Sequence, residues 1–274
     1  MNKAVAKPHI VALDSGVGGL SICQPFLQRW PRAHFSYVCD NGFFPYGTKD
    51  EAALRERIRT IVVEIIQPLA ADLLVVACGT ASTLALDLIR ELISIPVIGV
   101  VPAIKPAALQ TTTKVIGLLA TPGTVNRSYT TRLIQQFAEG CEVVKVGSDT
   151  LVRLVEGKLR GLPIDMAVLR AEIAPLFVTR GKRRTDAIVL GCTHFPLAQA
   201  ELLDAAPWPV SWLEPADAIL RRAESLLANM VLEEASRPTT QTWIFTADAK
   251  DNSELTLLLK RRGFSPRVHV MPSF

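Results

Sequence analysis

Residues 74–78 read Leu-Val-Val-Ala-Cys, and residues 188–192 read Ile-Val-Leu-Gly-Cys. In each stretch an apolar run, long enough for one buried strand, ends in a small residue and a cysteine. Similar apolar runs alternate along the chain with longer segments of helical periodicity, which is typical of βα units and a parallel sheet. The sequence therefore predicts an α/β fold.

The same periodicity locates the individual elements. Amphipathic helices are predicted over residues 49–70, 81–93 and 216–234, and the second of these is expected to be capped by Thr80 or Ser82. Strands are predicted at residues 9–13, 34–39, 72–77, 96–100, 115–119, 142–146, 186–190, 210–213, 243–246 and 267–270.

Two loop types recur in the same order along the chain. A glycine-rich loop follows a strand at Asp14, a looser counterpart follows a strand at Thr121, and each is followed later by a strand that ends in cysteine. This repetition predicts two pseudo-symmetric, doubly wound α/β domains, with the active site in the cleft between the carboxyl ends of their parallel sheets. The expected N-terminal domain spans residues 1–100 and 214–274 with Asp14 and Cys78; residues 101–213 form the second, with Thr121 and Cys192.

Composition and charge exclude several classes of protein. The 274 residues are 49% hydrophobic, enough to bury a core without disulfides. The net charge is only +4, and the basic run at 182–184 falls in a predicted loop, so a nucleic-acid-binding surface is not expected. No apolar stretch approaches the roughly 20 residues of a membrane helix, and no signal peptide is recognisable. We expect a cytoplasmic protein with reduced cysteines.

The loop at residues 14–19, Asp-Ser-Gly-Val-Gly-Gly, has three interpretations. Its glycine spacing differs from that of nucleotide-binding loops, which disfavours nucleotide binding. A loop that offers a carboxylate, a hydroxyl and backbone N–H groups to a small anion fits the sequence better. The remaining interpretation is a plain glycine-rich turn in which Asp14 caps the following helix.

Cys78 and Cys192 are the candidate reactive groups. A single cysteine at a strand end is most often a small buried hydrophobe. A matched pair across one cleft suits a different use, because one thiol can remove a proton from a carbon while the other delivers a proton to the opposite face. Backbone amides beside each thiol are expected to lower its pKa. The other three cysteines are assigned to packing: Cys23, Cys39 and Cys141.

Other polar residues have both a functional and a structural interpretation. His194 can relay a proton for Cys192 or be a satisfied histidine at a strand end. Residues 40–47, Asp-Asn-Gly-Phe-Phe-Pro-Tyr-Gly, combine turn residues with an aromatic ring that can close a pocket. Glu156 lies in a helical pattern, where a solvated charge is the ordinary expectation.

Six stretches, in matching order from about residue 10 to 200, together resemble the glutamate racemase family of the aspartate/glutamate racemase superfamily. The resemblance implies a cofactor-independent enzyme of two α/β domains that interconverts L- and D-glutamate for bacterial peptidoglycan. The stretches are LDSGVGGLS (13–21), DNGFFPYG (40–47), VVACGTAST (75–83), IGVVPAIKPA (98–107), GLLATPGTV (117–125) and GCTHFPL (191–197).

The same resemblance implies roles for individual residues. The Cys78 thiolate would take the α-proton of D-glutamate and Cys192 that of L-glutamate, with Asp14 assisting Cys78 and His194 assisting Cys192. Neither a metal nor PLP is expected. The implied substrate-binding set is Ser15, Pro45, Tyr46, Gly47, Gly79, Thr80, Thr121 and Thr193, with Glu156 as an acid that supports them.

One position departs from the family pattern. The family has asparagine after the first cysteine, in ACNTAS, whereas this chain reads ACGTAS with Gly79. Loss of a positioned polar contact costs about 1–3 kcal/mol. We expect Gly79 to leave a water-filled gap that weakens substrate binding without abolishing the chemistry.

Two other functions remain open at this stage. An aspartate-type racemase would share both cysteines, whereas an arylmalonate-decarboxylase-like enzyme would keep only the second. A catalytically weakened member could serve as a binding protein, because some members of the family are reported to inhibit DNA gyrase. We expect glutamate as the small-molecule ligand, no directly bound nucleic acid and no membrane; a homodimer and a peptidoglycan-precursor activator are further candidate partners.

Overall fold

The computed structural model describes residues 7–228, 240–248 and 253–271. Parallel strands form two sheets with helices packed against them, which confirms the predicted α/β class. The strands are β1 (His9–Asp14), β2 (His34–Cys39), β3 (Leu73–Val76), β4 (Val97–Gly99), β5 (Val115–Ala120), β6 (Glu142–Gly147), β7 (Thr179–Arg180), β8 (Arg183–Arg184), β9 (Ala187–Leu190), β10 (Ser211–Leu213), β11 (Gln241–Phe245) and β12 (Ser265–Val268).

The helices lie between successive strands, as the βα pattern requires. They are α1 (Leu20–Arg29), α2 (Glu51–Ile61), α3 (Gly79–Leu92), α4 (Ile104–Gln110), α5 (Pro122–Asn126), α6 (Ser128–Phe137), α7 (Asp149–Leu159), α8 (Met166–Ile173), α9 (Gln199–Ala205), α10 (Ala216–Leu227) and α11 (Ser253–Arg261). In the part of the chain that the structure describes, no helix is long and apolar enough to cross a bilayer.

The first sheet has the strand order β12-β11-β2-β1-β3-β4, and the second has the order β10-β9-β5-β6. All strand pairs in both sheets are parallel. The sheets take their strands from residues 9–99 with 241–268, and from residues 115–213. The domain boundaries themselves stay a prediction.

Strand register explains the repeated loops. β1 pairs with β3 so that Leu13 lies opposite Val76, and β5 pairs with β9 so that Leu119 lies opposite Leu190. Neighbouring parallel strands therefore end together. The loop at Asp14 lies beside Cys78 in the first sheet, and the loop at Thr121 lies beside Cys192 in the second.

Every predicted strand overlaps a strand of the structure, but the helix boundaries differ. The helix predicted over 49–70 is α2, which continues as a π-helical turn over Val62–Ile66 and a 3₁₀ turn over Gln67–Leu69. The predicted helix over 216–234 ends at Leu227, and its residues 229–234 lie outside the described ranges. The hairpin of β7 and β8 was not predicted.

The predicted cap of the helix after Cys78 is wrong. Helix α3 begins at Gly79, so Cys78 itself occupies the N-cap, and no side chain caps the helix. Ser82 instead donates its hydroxyl to the Val76 carbonyl at 2.9 Å and accepts from the Val100 amide at 2.9 Å. The serine therefore joins the ends of β3 and β4, and the helix starts directly from Cys78.

Candidate active site

A cavity between the carboxyl ends of the two sheets collects both cysteines and most of the predicted site residues. Its volume of about 20 Å³ holds about one water molecule, so an amino acid enters only if the two sheets move apart. The described residues that line it are Asp14, Ser15, Pro45, Tyr46, Gly47, Cys78, Gly79, Thr80, Thr121, Thr124, Val152, Gly191, Cys192, Thr193 and His194.

Cys78 lies on the side of the first sheet. Its Sγ is 3.8 Å from the Ser15 hydroxyl oxygen. Burial, and then the charge of Asp14, raise the pKa of the thiol from 9.0 to about 12, although the Ala81 amide and Ser15 act in the opposite direction. The expected lowering of this pKa is wrong, because desolvation of the thiolate outweighs the amides of the helix start. At neutral pH Cys78 is a thiol and hence a proton donor.

Cys192 lies on the side of the second sheet and has a different partner. Its Sγ is 3.6 Å from Nδ1 of His194, whose Nε2 is 2.8 Å from Oε1 of Glu156. Burial alone would lower the pKa of His194, but hydrogen bonds and charges of Cys192 and Glu156 raise it well above 6.5. The second thiol therefore lies beside an imidazolium ring.

Glu156 is buried and is not among the residues that line the cavity. It accepts hydrogen bonds from the Val17 amide at 2.8 Å and from Arg160 at 2.6 Å, in addition to His194. Burial opposes its ionisation, but the bond and charge of His194 and the charge of Arg160 lower its pKa. Glu156 thus lies behind His194 as a buried charge, and the ordinary expectation of a solvated helix charge is wrong.

The sequence predicted that the glycine-rich loop offers its N–H groups to a small anion. In the structure the Val17 amide of this loop donates to the carboxylate of Glu156, a side chain of the same protein. A Cβ atom at Gly18 would lie only 2.4 Å from Nδ1 of His194. A glycine is needed at this position because the loop passes so close to the histidine. Asp14 does not cap α1, whose N-cap is Gly19.

Asp14 is fully buried and connects the two sheets. Its carboxylate accepts from the Ser15 amide at 2.6 Å and from the Thr193 hydroxyl, on the opposite side, at 2.9 Å. Burial raises the pKa of Asp14, although the charge of His194 and the bond from Thr193 act against it. The hydroxyl of Ser15 lies 3.4 Å from this carboxylate, so the contact between Asp14 and Cys78 runs through Ser15.

A row of threonine hydroxyls also crosses the cavity. Thr80 and Thr121 are 3.1 Å apart, and Thr121 donates to Thr124 at 3.0 Å. Thr124, Val152 and Gly191 were missed at the sequence level. Only Thr124 had a usable signal, because a threonine three residues after a helix-capping threonine marks the first turn of a helix.

Gly79 lines the cavity, and the backbone of the second sheet lies close to it. A Cβ atom there would lie 3.0 Å from the carbonyl oxygen of Gly191 and 3.7 Å from Thr124 Oγ1. The space is closed by the backbone of the second sheet, so the glycine allows the two sides to approach. Among the described residues no three His, Cys, Asp or Glu side chains form a metal-binding cluster.

Two parallel sheets that each bring a thiol to one closed cavity define a protein suited to proton transfer at a single carbon. The Asp/Glu/Hydantoin racemase family model matches residues 27–223, well over half of the chain. The chain belongs to this family.

Several similar proteins have names that specify the reaction. A glutamate racemase of Brucella ovis is 48% identical over 219 residues, which cover 80% of this chain and 79% of that protein. The crystal structure of Escherichia coli glutamate racemase with L-glutamate and the activator UDP-MurNAc-Ala is 40% identical, with a TM-score of 0.88 over 96% of this chain and 97% of that chain. Glutamate racemase from Thermus thermophilus with beta-chloro-D-alanine is 28% identical, with a TM-score of 0.76 over 99% and 100%.

The buried pair of His194 and Glu156 leads to a prediction about pH. Because the pKa of His194 is raised above 6.5, its pairing stabilises the fold fully below that pH and is lost as the pH rises through the folded-state pKa. Glu156→Gln should lower the pKa of His194, since it removes the carboxylate charge. NMR of ¹⁵N-histidine-labelled protein against pH measures this, with the exposed His269 as an internal control. A His194 that titrates near 6.5 in both proteins would contradict the account.

Proposed function

We propose that this chain interconverts L- and D-glutamate with two cysteines as the acid and the base, without PLP. The observation that carries the proposal is the pair of thiols, Cys78 and Cys192, which end strands of opposite sheets and line one cavity. The named relatives at 40–48% identity are glutamate racemases, which favours glutamate over aspartate as the substrate. D-glutamate for peptidoglycan is the product we infer.

The surroundings of the two thiols assign their roles in the reaction of L-glutamate. Cys78, a thiol at neutral pH, acts as the acid, and Cys192, beside the His194 imidazolium, acts as the base. The Cys192 thiolate takes the α-proton of L-glutamate, and the electrons of the broken C–H bond remain on the substrate and spread into its carboxylate. Cys78 then gives its proton to the opposite face and forms D-glutamate. The reverse reaction starts after the two thiols have exchanged protonation states.

The cavity also has the polar groups that a carbanion-like transition state needs. Helix α3 spans 14 residues, and its N-terminus at Gly79 and Thr80 faces the cavity with backbone N–H groups that have no partner within the helix. Such a helix end favours an anion, so we infer that it receives the α-carboxylate. The row of threonine hydroxyls and Ser15 complete the set, and closure of the sheets excludes water that would weaken these contacts.

Racemisation in D₂O tests the proposal. L-Glutamate incubated with the protein, without PLP, should lose optical rotation and its α-proton NMR signal together, since each turnover introduces solvent deuterium. Cys78→Ala and Cys192→Ala should each abolish racemisation, because each removes one of the two proton carriers. Cys141→Ala, at a half-buried cysteine packed in the core, should retain activity. Full racemisation by either cavity variant would exclude the two-thiol mechanism.

Gly79 allows a paired test of substrate binding. Gly79→Ala adds only the Cβ atom that meets Gly191, so it should raise KM by pushing the two sides apart. Gly79→Asn adds the same atom together with an amide that can bond to the substrate. Its KM should be about 5-fold below that of the alanine variant, which corresponds to about 1 kcal/mol for one hydrogen bond. Equal KM values for the two variants would show that the missing amide does not matter.

A second cavity favours an anionic activator. It has a volume of about 400 Å³ and is lined by Arg90, Arg132 and Arg222 together with Tyr129. Its wall includes Ser82 and Arg90 of α3, the helix that starts at Cys78. An anion bound here therefore contacts α3, the helix that begins at the first thiol. We infer a peptidoglycan-precursor activator, the ligand class named for the Escherichia coli relative.

Calorimetric titration with UDP-MurNAc-Ala measures this binding. Arg90→Gln should weaken it about 10-fold through loss of one charged contact, without a change in the basal rate. Arg59→Gln, at an exposed arginine of α2, is the matched control and should bind as the unchanged protein does. If the two variants bind UDP-MurNAc-Ala with equal affinity, the activator does not bind in this cavity. The homodimer and the inhibition of DNA gyrase stay predictions.

A further inference from the structure

The loop after β2 brings Pro45, Tyr46 and Gly47 to the wall of the cavity. We propose that a buried ion pair, Asp40 with Arg57, positions this loop for the substrate and is thereby a determinant of substrate binding. The proposal rests on the racemase function above. We call Asp40, Arg57, Tyr46 and Thr246 the loop anchor.

The anchor is built around one carboxylate. Asp40 is fully buried and Arg57 is 2% exposed. The Nε atom of Arg57 lies 3.0 Å from Oδ2 of Asp40, and its second terminal nitrogen lies 2.6 Å from Oδ1. A guanidinium that meets both oxygens of a carboxylate fixes direction as well as distance. This pair therefore holds the start of the loop against helix α2.

Two hydroxyl groups complete the coordination of Asp40. The Tyr46 hydroxyl donates to Oδ2 at 2.7 Å, and the Thr246 hydroxyl donates to Oδ1 at 2.5 Å. Thr246 in turn accepts from the Gly42 amide at 3.2 Å, which leaves its hydroxyl proton for the carboxylate. Hydrogen bonds from three side chains therefore satisfy the buried charge.

The direction of the hydrogen bond from Tyr46 to Asp40 determines how Tyr46 can contact the substrate. A carboxylate only accepts hydrogen bonds, so the phenol proton of Tyr46 points to Asp40 and not into the cavity. Tyr46 therefore meets the substrate with its ring and its peptide groups. The loop anchor holds the hydroxyl end of the ring and therefore sets the position of Tyr46 and of the adjacent Gly47.

The anchor extends to a part of the chain beyond residues 27–223, the range that the family model matches. Thr246 follows β11, and the Asn41 side chain accepts from the amides of Thr246 and Ala247 at 3.0 and 3.1 Å. Asp40 also donates its amide to the carbonyl of Asp14 at 2.9 Å. The loop is thus bound on one side to the end of β11 and on the other to Asp14, which lines the cavity.

Steady-state kinetics of Arg57→Lys tests the proposal. Lysine keeps the charge but loses the two-pronged geometry. We expect KM for L-glutamate to rise about 10-fold while kcat changes less than about 3-fold, because the loop holds the substrate rather than the thiols. A merely structural role would reduce the amount of folded enzyme, so kcat would fall and KM would stay constant. That second pattern would overturn the proposal. Arg59→Gln on the same helix is the control and should change neither constant.

Thr246→Val covers the case in which Arg57→Lys does not fold. It removes one neutral donor and leaves the ion pair, and KM should rise about 3-fold. An NMR measurement makes the outcome independent of activity: the backbone amide signals of Tyr46 and Gly47 should shift in this variant and not in Arg59→Gln. If the unchanged protein does not racemise glutamate, the proposed function is wrong, but the amide signals still test whether the loop anchor positions Tyr46 and Gly47. Unshifted signals in Thr246→Val would overturn the loop anchor.

Discussion

Hydrogen bonds that cross from the first sheet to the second hold the cavity in its shape. The Thr193 hydroxyl reaches Asp14 at 2.9 Å, and the Val17 amide reaches Glu156 at 2.8 Å. The Ser21 hydroxyl adds a bond to the Thr193 carbonyl at 2.8 Å. Each of these buried partners would be costly to leave unpaired, so they keep the two sheets closed. A substrate that opens the cavity must replace them, which links its binding to the closure that excludes water.

The same cavity gives its two thiols unlike surroundings. Cys78 lies near a hydroxyl and a buried carboxyl group, and burial raises its pKa to about 12. Cys192 lies beside His194, which Glu156 keeps charged. Two chemically identical groups thus have different neighbours, as a reaction needs when one face of a carbon loses a proton and the other face gains one. Of the partners that create this asymmetry, Glu156 lies outside the cavity wall.

Apolar runs and their order predicted the strands and the meeting of both cysteines, because strand ends in parallel sheets follow directly from the chain order. Most of the other residues that line the cavity were implied by the resemblance to the glutamate racemase family. The predictions that failed depended on contacts that form only in the folded chain. Glu156 is buried against His194, which is 38 positions along the chain, in addition to its helical neighbour Arg160. The Gly191 carbonyl lies close to Gly79 although it is 112 positions along the chain. The hairpin of β7 and β8 is exposed and polar, so it has no apolar run to reveal it.

The central claim is that two separate groups act on opposite faces of one carbon. Optical rotation followed to completion in D₂O, starting from pure L-glutamate, tests it most directly. With two bases, the D-glutamate formed carries deuterium at Cα, and its return is slowed by the primary isotope effect. The rotation should then pass through zero, overshoot to the opposite sign and decay back. A rotation that falls to zero without overshoot, with protium retained in the product, would mean that a single base carries the proton across, and would contradict the account.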